Sequence, residues 1–580
     1  MKTASPVTKV LKKLRPYRLL LVCAVLFALV SVSLTLYIPV LIGQAIDRII
    51  GKGSVSFDDV ARILGYIAVA VVGVTVCQWL MTYFVNLVSF KAVRDLRREV
   101  FRKLNSVPLS YIDTHAHGDL ISRVINDVDA VGDGLTQLFL QLFSGVITIV
   151  GTLIFMLMID WRIALAVFFL TPLSLFAAGF IGKLSARRFR EQQMLQGEIS
   201  SFVEEYVGNQ RVVKAFSYED ESFAAFDKYN NTLYDVGFKA QYAGALANPT
   251  TRLVNAIVYA AVGIVGALTV LSGTLTVGGL SCFITYANQY TKPFNEVTGV
   301  LTQLQTGIAA ARRVFEVLEA DDEIPESGNA SPVHRGEVAL DHISFSYIPE
   351  KPLIKDFSLK VSSGTHVAIV GPTGCGKTTL INLLMRFYDV NSGAIYVDGA
   401  DIRDMRRDDL RGRFGMVLQD SWLFQGTIRE NLRYGNENAT DEEIVAAAKA
   451  AYAHSFIRRM PKGYDTVISE GGGNLSQGQK QLLCIARAML TNPEILILDE
   501  ATSSIDTLTE IRVQKAFAKM MKGRTSFVVA HRLSTIKESD VILVMRDGDI
   551  IEQGSHRELL RKKGFYHHLY HAQFAAEDNN

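Results

Sequence analysis

A glycine-rich segment in the middle of the chain has the residue types and spacing of a phosphate-binding loop. It follows the β-branched run Val367–Val370, and four residues separate Gly371 from the Gly376-Lys377-Thr378 triplet. Glycines let backbone N–H groups approach a phosphate closely, Lys377 neutralises its oxygens, and the Thr378 hydroxyl suits Mg²⁺. The apolar residues that follow predict a helix whose N-terminus faces the anion. The candidate phosphate-binding residues are Gly371, Pro372, Thr373, Gly374, Cys375, Gly376, Lys377, Thr378 and Thr379.

Two adjacent carboxylates end a second apolar strand. The run Ile495–Leu498 leads directly into Asp499 and Glu500. Asp499 is suited to coordinating Mg²⁺, directly or through water, and Glu500 to polarising the water that attacks a terminal phosphate. A structural role explains two acids at the end of a buried strand poorly. The pair therefore indicates hydrolysis of a nucleotide.

Three further polar residues stand at predicted strand ends, and each allows two interpretations. Gln419 could reach Mg²⁺ or the attacking water, or be an ordinary strand-end amide. His531, after the strand Thr525–Ala530, could contact the γ-phosphate or be a satisfied core histidine. Tyr347, at the end of the strand that begins at Val338, could stack on adenine or be a strand aromatic.

The segment Asn474–Gln479 is a second candidate anion site. It opens a helix predicted over Lys480–Leu490, and Ser476, Gly478 and Gln479 bring N–H groups to its start. As an isolated pattern it is weak. It gains weight because it lies between the phosphate loop and the acidic strand. Asp506 ends a turn just beyond that strand.

The composition divides the chain into two halves. Of 580 residues 49% are hydrophobic, the mean hydropathy is +0.20, and the apolar excess lies before about residue 310. The net charge of +2 gives no indication of nucleic-acid binding. Five scattered cysteines indicate neither a disulfide framework nor a zinc site. They are Cys23, Cys77, Cys282, Cys375 and Cys484.

Six apolar segments predict a membrane domain. The first follows 18 residues that hold six cations and no acid, and it is too long for a signal peptide. These lengths exclude a purely soluble ATPase. The predicted spans are Leu19–Gly43, Ile63–Phe90, Leu135–Ile159, Ile163–Gly182, Leu253–Leu271 and Leu280–Leu304.

The connections between the spans predict their orientation. Those after the second and fourth spans are long and charged, roughly 45 and 70 residues, and the first is rich in Lys and Arg. The positive-inside rule places both long loops and both termini on the cytoplasmic side, and the expected location of the protein is a cell membrane. The tips of the two long loops, near Tyr111–Gly118 and Gly208–Ser217, are where the membrane domain could receive force.

Polar side chains within the predicted spans would be costly against lipid, so we expect them to face a bundle interior or a water-filled cavity. Lys292 and Glu296, four residues apart, could pair on one helix face or contact a transported substrate, with neither interpretation favoured. The set is Gln78, Gln137, Gln141, Asn255, Asn288, Gln289, Lys292 and Glu296.

The predicted fold class is an α-helical polytopic membrane domain followed by an α/β P-loop NTPase domain with a helical insertion. The insertion is marked by a capping-box pattern, Thr440–Glu443, ahead of a helix predicted over Ile444–Ala453. The predicted boundaries are 1–318 for the membrane domain, 319–336 for a linker, 337–574 for the ATPase and 575–580 for a disordered tail.

Together these elements resemble the ATP-binding cassette (ABC) transporter superfamily, in its exporter branch with six membrane helices fused to one cassette. The resemblance covers nearly the whole chain, and Tyr111–Asp113 with the segment Gly118–Arg123 is similar to the first coupling-helix region. In that family's terms, Tyr347 resembles the adenine-stacking aromatic, Gly371–Thr378 resembles the Walker A loop, and Gln419 resembles the Q-loop glutamine. The segment Leu475–Gln479 resembles the signature, and Asp499 and Glu500 resemble the Walker B aspartate and the catalytic glutamate. Asp506 resembles the D-loop aspartate, and His531 resembles the switch histidine.

One departure concerns the signature, where Gln477 replaces the first glycine of the usual Leu-Ser-Gly-Gly-Gln. The resemblance implies that a signature acts on ATP held by the Walker A loop of another chain, so this chain must pair. In a homodimer both sites would join Glu500 to a Gln477-bearing signature. In a heterodimer a partner without the catalytic acid would supply the standard signature, and this pairing is slightly favoured.

The function that follows is ATP-driven export or flipping of a hydrophobic or amphipathic compound, with ATP and Mg²⁺ as cofactors. The lipid membrane and a small hydrophobic or amphipathic substrate are the expected partners, and nucleic acid is not. A peptide exporter or a metal-chelate importer of the same fold stays open. An ATP-gated channel or regulator that moves no cargo uphill is the alternative from another class.

Overall fold

The computed structural model describes residues 5–49, 55–323, 334–418, 421–499, 505–530 and 533–573. The chain forms two compact units. One comprises Met1–Ser106 and His115–Ala320, and the other comprises Val107–Thr114 and Asp321–Asn580. The middle of the predicted linker and the predicted disordered tail lie outside the described residues.

The first unit is helical, because its sequence is a series of long apolar runs joined either by short turns or by long charged segments that are themselves helical. Two π-helical turns, Arg123–Asp127 and Leu138–Phe143, join neighbouring helices. The helices are α1 (Pro6–Lys13), α2 (Arg18–Ile49), α3 (Phe57–Leu104), α5 (His117–Ser122), α6 (Val128–Gln137), α7 (Ser144–Ile159), α8 (Trp161–Gly208), α9 (Gln210–Ala215), α10 (Glu219–Ala245), α11 (Ala247–Leu271) and α12 (Val277–Leu318). The short helix α4 (Leu109–Asp113) belongs to the second unit.

Four helical stretches of the described chain are long and apolar enough to cross a bilayer. They are Arg15–Ile49, Phe57–Leu104, His117–Ile159 and Arg252–Leu271, and they contain the first, second, third and fifth predicted spans. The fourth and sixth predicted spans lie within the continuous helices α8 and α12. Neither meets the same criterion among the described residues, so both stay predictions.

Helices α3 and α8 are far longer than a bilayer requires. Both α3 and α8 have 48 residues, which at 1.5 Å per residue gives roughly 70 Å, against a hydrocarbon core of about 30 Å. Each therefore extends well beyond any membrane it crosses.

Glycines allow α2 and α12 to approach closely. A Cβ on Gly278 would lie 2.0 Å from the carbonyl oxygen of Gly43. At the same crossing Asp47 accepts a hydrogen bond of 2.7 Å from the Gly278 N–H, in the first turn of α12. A carboxylate at a helix N-terminus is stabilising, so this contact fixes the start of α12.

The strands that the structure describes in the second unit form three sheets. A six-stranded sheet has the order β12-β11-β3-β10-β9-β6, in which all strands but β12 are parallel, and a four-stranded antiparallel sheet has the order β2-β1-β4-β5. The strands are β1 (Val338–Phe345), β2 (Ile354–Val361), β3 (His366–Val370), β4 (Ser392–Val397), β5 (Ala400–Asp401), β6 (Phe414–Val417), β7 (Gly426–Thr427), β8 (Val467–Ile468), β9 (Ile495–Asp499), β10 (Thr525–Val529), β11 (Val541–Arg546) and β12 (Asp549–Gly554).

Helices cover these sheets, and the helix after β3 is buried between the two large sheets' apolar faces. The helices of the second unit after α4 are α13 (Lys377–Leu384), α14 (Arg407–Gly412), α15 (Ile428–Arg433), α16 (Asp441–Ala450), α17 (His454–Ile457), α18 (Gln477–Thr491), α19 (Thr507–Met521), α20 (Leu533–Glu538), α21 (His556–Lys562) and α22 (Phe565–Gln573).

The helical insertion is present, but the prediction of its bounds was wrong by three residues at each end. Thr440 is the N-cap of α16: its hydroxyl accepts from the Glu443 N–H at 3.3 Å, and Glu443 accepts from the Thr440 N–H at 2.8 Å. A capping box starts the helix at the very next residue, so α16 covers Asp441–Ala450 rather than Ile444–Ala453.

Candidate nucleotide-binding site

The predicted phosphate loop connects β3 to α13, with backbone geometry that only glycine tolerates. A Cβ on Gly371 would lie 2.2 Å from the Met545 carbonyl oxygen in the neighbouring strand. Gly374 and Gly376 have φ of +83° and +104°, in the left-handed region. The loop is therefore shaped by its glycines, and its geometry is that of a backbone cradle.

Lys377 and the first turn of α13 give this cradle positive character. The Lys377 ammonium donates to the carbonyl oxygens of Gly371 at 2.8 Å and Pro372 at 2.9 Å, which holds it across the loop. The N-cap of α13 is Gly376, which offers no capping side chain. The N–H groups of the first turn can thus serve an anion.

Cys375 belongs to the loop, but its side chain points into the core beneath it. Its side chain is buried in the apolar core between the sheets, close to Gly371. Its N–H lies 3.4 Å from the Pro372 carbonyl oxygen. Any contact of Cys375 with a nucleotide is therefore a backbone contact, and the thiol is a packing group.

The sheet register brings Asp499 to the same edge as the phosphate loop. Ile369 of β3 pairs with Val529 of β10, and Val529 pairs in turn with Asp499 of β9. Two strand spacings separate Asp499 from Ile369, or about 10 Å. The side chain of Asp499 is largely buried.

The other three predicted catalytic residues, Gln419, Glu500 and His531, lie outside the described residues. Their positions in the chain follow β6, β9 and β10, which adjoin one another and β3 in the sheet. The carboxyl ends of parallel strands meet at one edge, where open α/β sheets bind ligands. The topology thus brings together the strand ends that carry these residues.

Tyr347 lies two residues beyond the end of β1, which is shorter than predicted. Its ring packs edge to face against Phe345 at 4.8 Å and Tyr388 at 5.0 Å, between ring centroids. The Asn382 side-chain amide donates to the Tyr347 hydroxyl at 3.3 Å. These neighbours fix the ring, and with 47% of the residue exposed, it can stack on a base.

No motif in the sequence indicates a role for Tyr388. Its hydroxyl donates to the Asp113 carboxylate of α4 at 2.5 Å. Burial raises the pKa of the Tyr388 hydroxyl, and the Asp113 carboxylate raises it further, so the hydroxyl stays a donor. We call Tyr347 and the rings packed against it, Phe345 and Tyr388, the base platform. Helix α4, which follows α3 in the chain, is therefore hydrogen-bonded to the base platform through Tyr388. A contact over 275 residues of sequence leaves no local signal.

The predicted signature segment opens α18, which begins at Gln477 rather than at Lys480. Ser476 is its N-cap. The Ser476 hydroxyl accepts from the Gln479 N–H at 3.3 Å, and the Gln479 side chain accepts from the Ser476 N–H at 3.0 Å. Ser476 and Gln477 are exposed, so this helix start faces outward from the unit.

Gly478 is buried against the start of α19. A Cβ there would lie 2.3 Å from the Thr509 methyl carbon and 2.9 Å from the Ile505 Cγ2. The Asp506 carboxylate caps α19 by accepting from the Thr509 N–H at 2.9 Å, and this hydrogen bond holds the pKa of Asp506 below its usual range. Gly478 and Asp506 are thus coupled through Thr509.

The oxygen donors fit magnesium better than a softer metal. Thr378 and Asp499 offer a hydroxyl and a carboxylate, which are ligands that Mg²⁺ prefers, usually together with water and substrate phosphates. Within the described ranges no group of three or more His, Cys, Asp or Glu residues could hold a metal. A dedicated protein cage is not needed for Mg²⁺ on a nucleotide.

Comparison with known proteins shows the family of the chain. Residues 21–294 match the family model of the ABC transporter transmembrane region, and residues 354–503 match the ABC transporter model. The chain belongs to the ABC transporters, as an exporter-type half-transporter with one membrane region and one ATP-binding domain. The predicted resemblance and fold class are confirmed.

Individual relatives resemble the chain over almost its full length. A fatty acid ABC transporter ATP-binding/permease protein of Mycobacterium bovis is 38% identical over 97% of this chain and 96% of its own. A putative multidrug export ATP-binding/permease protein of Staphylococcus aureus is 37% identical over 98% and 100%. The structure of a bacterial Atm1-family ABC exporter with ATP bound has a TM-score of 0.78 and 31% identity, covering 96% and 98%.

The predicted function as an ABC exporter is therefore confirmed. The chain is a membrane protein with an ATP-binding domain, which implies ATP hydrolysis coupled to transport. Its half-transporter fold is typically dimeric.

Proposed function

We propose that this chain supplies one half of a dimeric exporter in a cell membrane, with both termini and the cassette in the cytoplasm, and that it moves hydrophobic or amphipathic compounds. The main support for the proposal is the position of the phosphate loop and Asp499 at the same edge of one sheet. Their strands, β3 and β9, both pair with β10. This edge can bind the phosphates and the metal of one nucleotide.

The chemistry we propose is mainly positioning and electrostatics. Backbone N–H groups of the loop and Lys377 would hold the phosphates. Thr378, Asp499 and Gln419 would hold Mg²⁺, which when bound would supply positive charge next to the γ-phosphoryl group. Glu500 orients and polarises the attacking water. His531 donates to the γ-phosphate, and Tyr347 stacks on the adenine.

The site needs a second chain. Ser476 and Gln477 are exposed at the start of α18, a position suited to closing on a nucleotide held elsewhere. Gln477 makes a heterodimer the slightly favoured pairing, in which a partner's standard signature completes the site that contains Glu500. A homodimer with two Gln477-bearing sites is the second possibility.

Coupling to the membrane domain runs through the loops. The hydrogen bond from Tyr388 to Asp113 joins α4 to the base platform, so closure of the cassette can move the end of α3. The second tip, near Gly208–Ser217, could also receive force, and it carries the exposed apolar residues Val212 and Phe216. Closure then converts the bundle from inward-open to outward-open, and hydrolysis resets it.

The cargo is proposed from chemistry and from relatives. Long apolar helices with few polar interior groups favour an amphipathic compound, and the similar proteins are named for fatty acids and for multidrug export. ATP-dependent accumulation of a fluorescent fatty acid or a lipophilic cation in inverted vesicles tests this. Passive leak without accumulation would support an ATP-gated channel instead.

The decisive test of the site is Glu500→Gln. General-base removal lowers rates by about 10²–10⁴-fold, so we expect ATPase activity to fall by at least a hundredfold while ATP stays bound in a closed dimer. The measurement is phosphate release together with retention of radiolabelled ATP after gel filtration. Glu494→Gln, an acid before the same strand, is the matched control. Unchanged hydrolysis by the Glu500 variant would overturn the assignment.

A further inference from the structure

An apolar cavity lies within the first unit, where the N-terminal helix α1 packs on α3, α6 and α12. We call it the α1 cavity. Its volume is about 180 Å³, and its floor consists of the buried side chains Leu14, Val93, Leu96, Leu135 and Phe315. These residues belong to one core cluster of the unit, so the cavity is an opening within packed side chains rather than a surface groove.

Apart from Lys12, the charged groups at the rim are paired. Lys13 forms an ion pair with Glu99, and the Tyr17 hydroxyl donates to Asp95. On the other side of α1, Lys9 pairs with Glu319 at 2.5 Å. These contacts attach α1 to α3 and α12 and leave CH groups facing the cavity. A ligand inside it must therefore be hydrocarbon.

The volume of the α1 cavity limits how much of a ligand it can enclose. An apolar cavity of about 150 Å³ accommodates benzene, whereas sites for drug-sized molecules run to about 300–1,000 Å³. The α1 cavity can take a segment of one alkyl chain but not a whole lipid. The rest of the ligand must lie outside the opening.

The charge at the opening selects the headgroup. Lys12 lines the cavity, is exposed and has no ion pair among the residues that the structure describes. Arg15 and Arg18 follow, and the first 18 residues hold six cations and no acid. The apolar stretch Arg15–Ile49 begins two residues after α1, so the opening lies at the level of a membrane surface. Anions of the bilayer concentrate there.

We propose that the α1 cavity binds one acyl chain of an anionic bilayer phospholipid, with its headgroup held by Lys12. The α1 cavity lies in the first unit, whereas the nucleotide site lies in the second. The bound chain would fix α1 against α3, the helix that leads into α4. The lipid would thus act as a structural ligand of the exporter.

The test uses the full-length exporter, purified with its partner chain from bilayers of phosphatidylcholine and phosphatidylglycerol. Native mass spectrometry after delipidation counts the phospholipids retained per chain. Lys12→Gln removes the proposed headgroup contact, and Ala92→Leu fills the cavity from α3. Their matched controls are Arg15→Gln, a neighbouring exposed cation outside the lining, and Ala68→Leu, an exposed alanine on the same helix.

We expect the parent protein to retain phosphatidylglycerol in preference to phosphatidylcholine. Lys12→Gln should lower that preference about fivefold, and Ala92→Leu should abolish retention, while both controls behave like the parent. Equal losses in Lys12→Gln and Arg15→Gln would mean only diffuse attraction and would overturn the proposal. So would full retention by Ala92→Leu. Lys12→Gln lies on the surface, so its result stands even where Ala92→Leu fails to fold.

Discussion

Two helices of the ATP-binding unit begin at candidate phosphate-contacting loops, but their N-termini are built differently. Helix α13 begins after Gly376, in a left-handed conformation and with no capping side chain. Helix α18 begins after Ser476, within a reciprocal capping box that includes Gln479. The first leaves its N–H groups to a ligand, whereas the second satisfies some of them internally.

This difference indicates a division of labour. The loop before α13 leaves its N–H donors without a capping side chain, which suits a site that depends on a bound phosphate. The loop before α18 is stable without one and presents an exposed residue, Gln477, beside a buried one, Gly478. Because its capping box already satisfies N–H groups at the start of α18, this loop can bind and release a nucleotide held by another chain.

The largest effect within the second loop is expected at Gly478. Because an added methyl would overlap Thr509, Gly478→Ala should lower the free energy of unfolding by about 1–3 kcal/mol and abolish ATPase activity. Thermal unfolding of the purified exporter measures the first, and phosphate release the second.

The matched variant is Gln477→Gly. Its side chain is exposed, so the unfolding temperature should change little, while ATPase activity changes at whichever sites use this signature. In a homodimer the ATPase activity would change at both nucleotide sites, and in a heterodimer it would change at one. A large loss of stability in Gln477→Gly would contradict the separation of the two roles.

A smaller effect is expected from the capping residue. Loss of an N-cap costs about 1 kcal/mol, so Ser476→Ala and Thr440→Ala should destabilise the protein to a similar extent. Both residues have the same capping-box geometry, but Thr440 caps α16 in the insertion. Only Ser476→Ala should also lower ATPase activity, by about tenfold. Equal activity in the two variants would reduce Ser476 to a structural residue.

The smallest effect concerns the link from the base platform to α4. Tyr388→Phe keeps the ring contacts with Phe345 and Tyr347 and removes only the hydroxyl that donates to Asp113. We expect ATP affinity within about twofold of the parent and transport per ATP hydrolysed lowered severalfold, since one hydrogen bond to a charged group is worth about 1.5–3 kcal/mol. Vesicle uptake measured alongside phosphate release gives the ratio, and an unchanged ratio would exclude this coupling contact.

The parts of the site that sequence could predict are those encoded by local spacing. The phosphate loop and Asp499 are each a strand followed by chemistry-bearing residues, and the sheet register brings them to one edge. Helix starts were misplaced by three residues at α16 and α18 because the capping residue, rather than the first apolar residue, sets the boundary.

Long-range contacts could not be predicted. Gly478 looked like a phosphate-contacting glycine, yet its lack of a side chain is also required by packing on Thr509. Cys375 looked like part of the cradle, and its thiol instead joins the core. Both depend on which elements meet in three dimensions, which spacing along the chain does not specify.

The central claim, that Gly371–Thr378 is half of a nucleotide site completed by another chain, is tested most directly by photolabelling. An ATP analogue reactive at its γ-phosphate is bound to Glu500→Gln dimers whose two chains carry different tags, with Lys377→Ala in one chain only. ATP can then be held only by the chain with the intact Lys377. We predict that the label appears on the signature of the other chain, at residues 475–479 or at the partner's equivalent segment. Label on residues 475–479 of the chain that itself retains Lys377 would contradict the account.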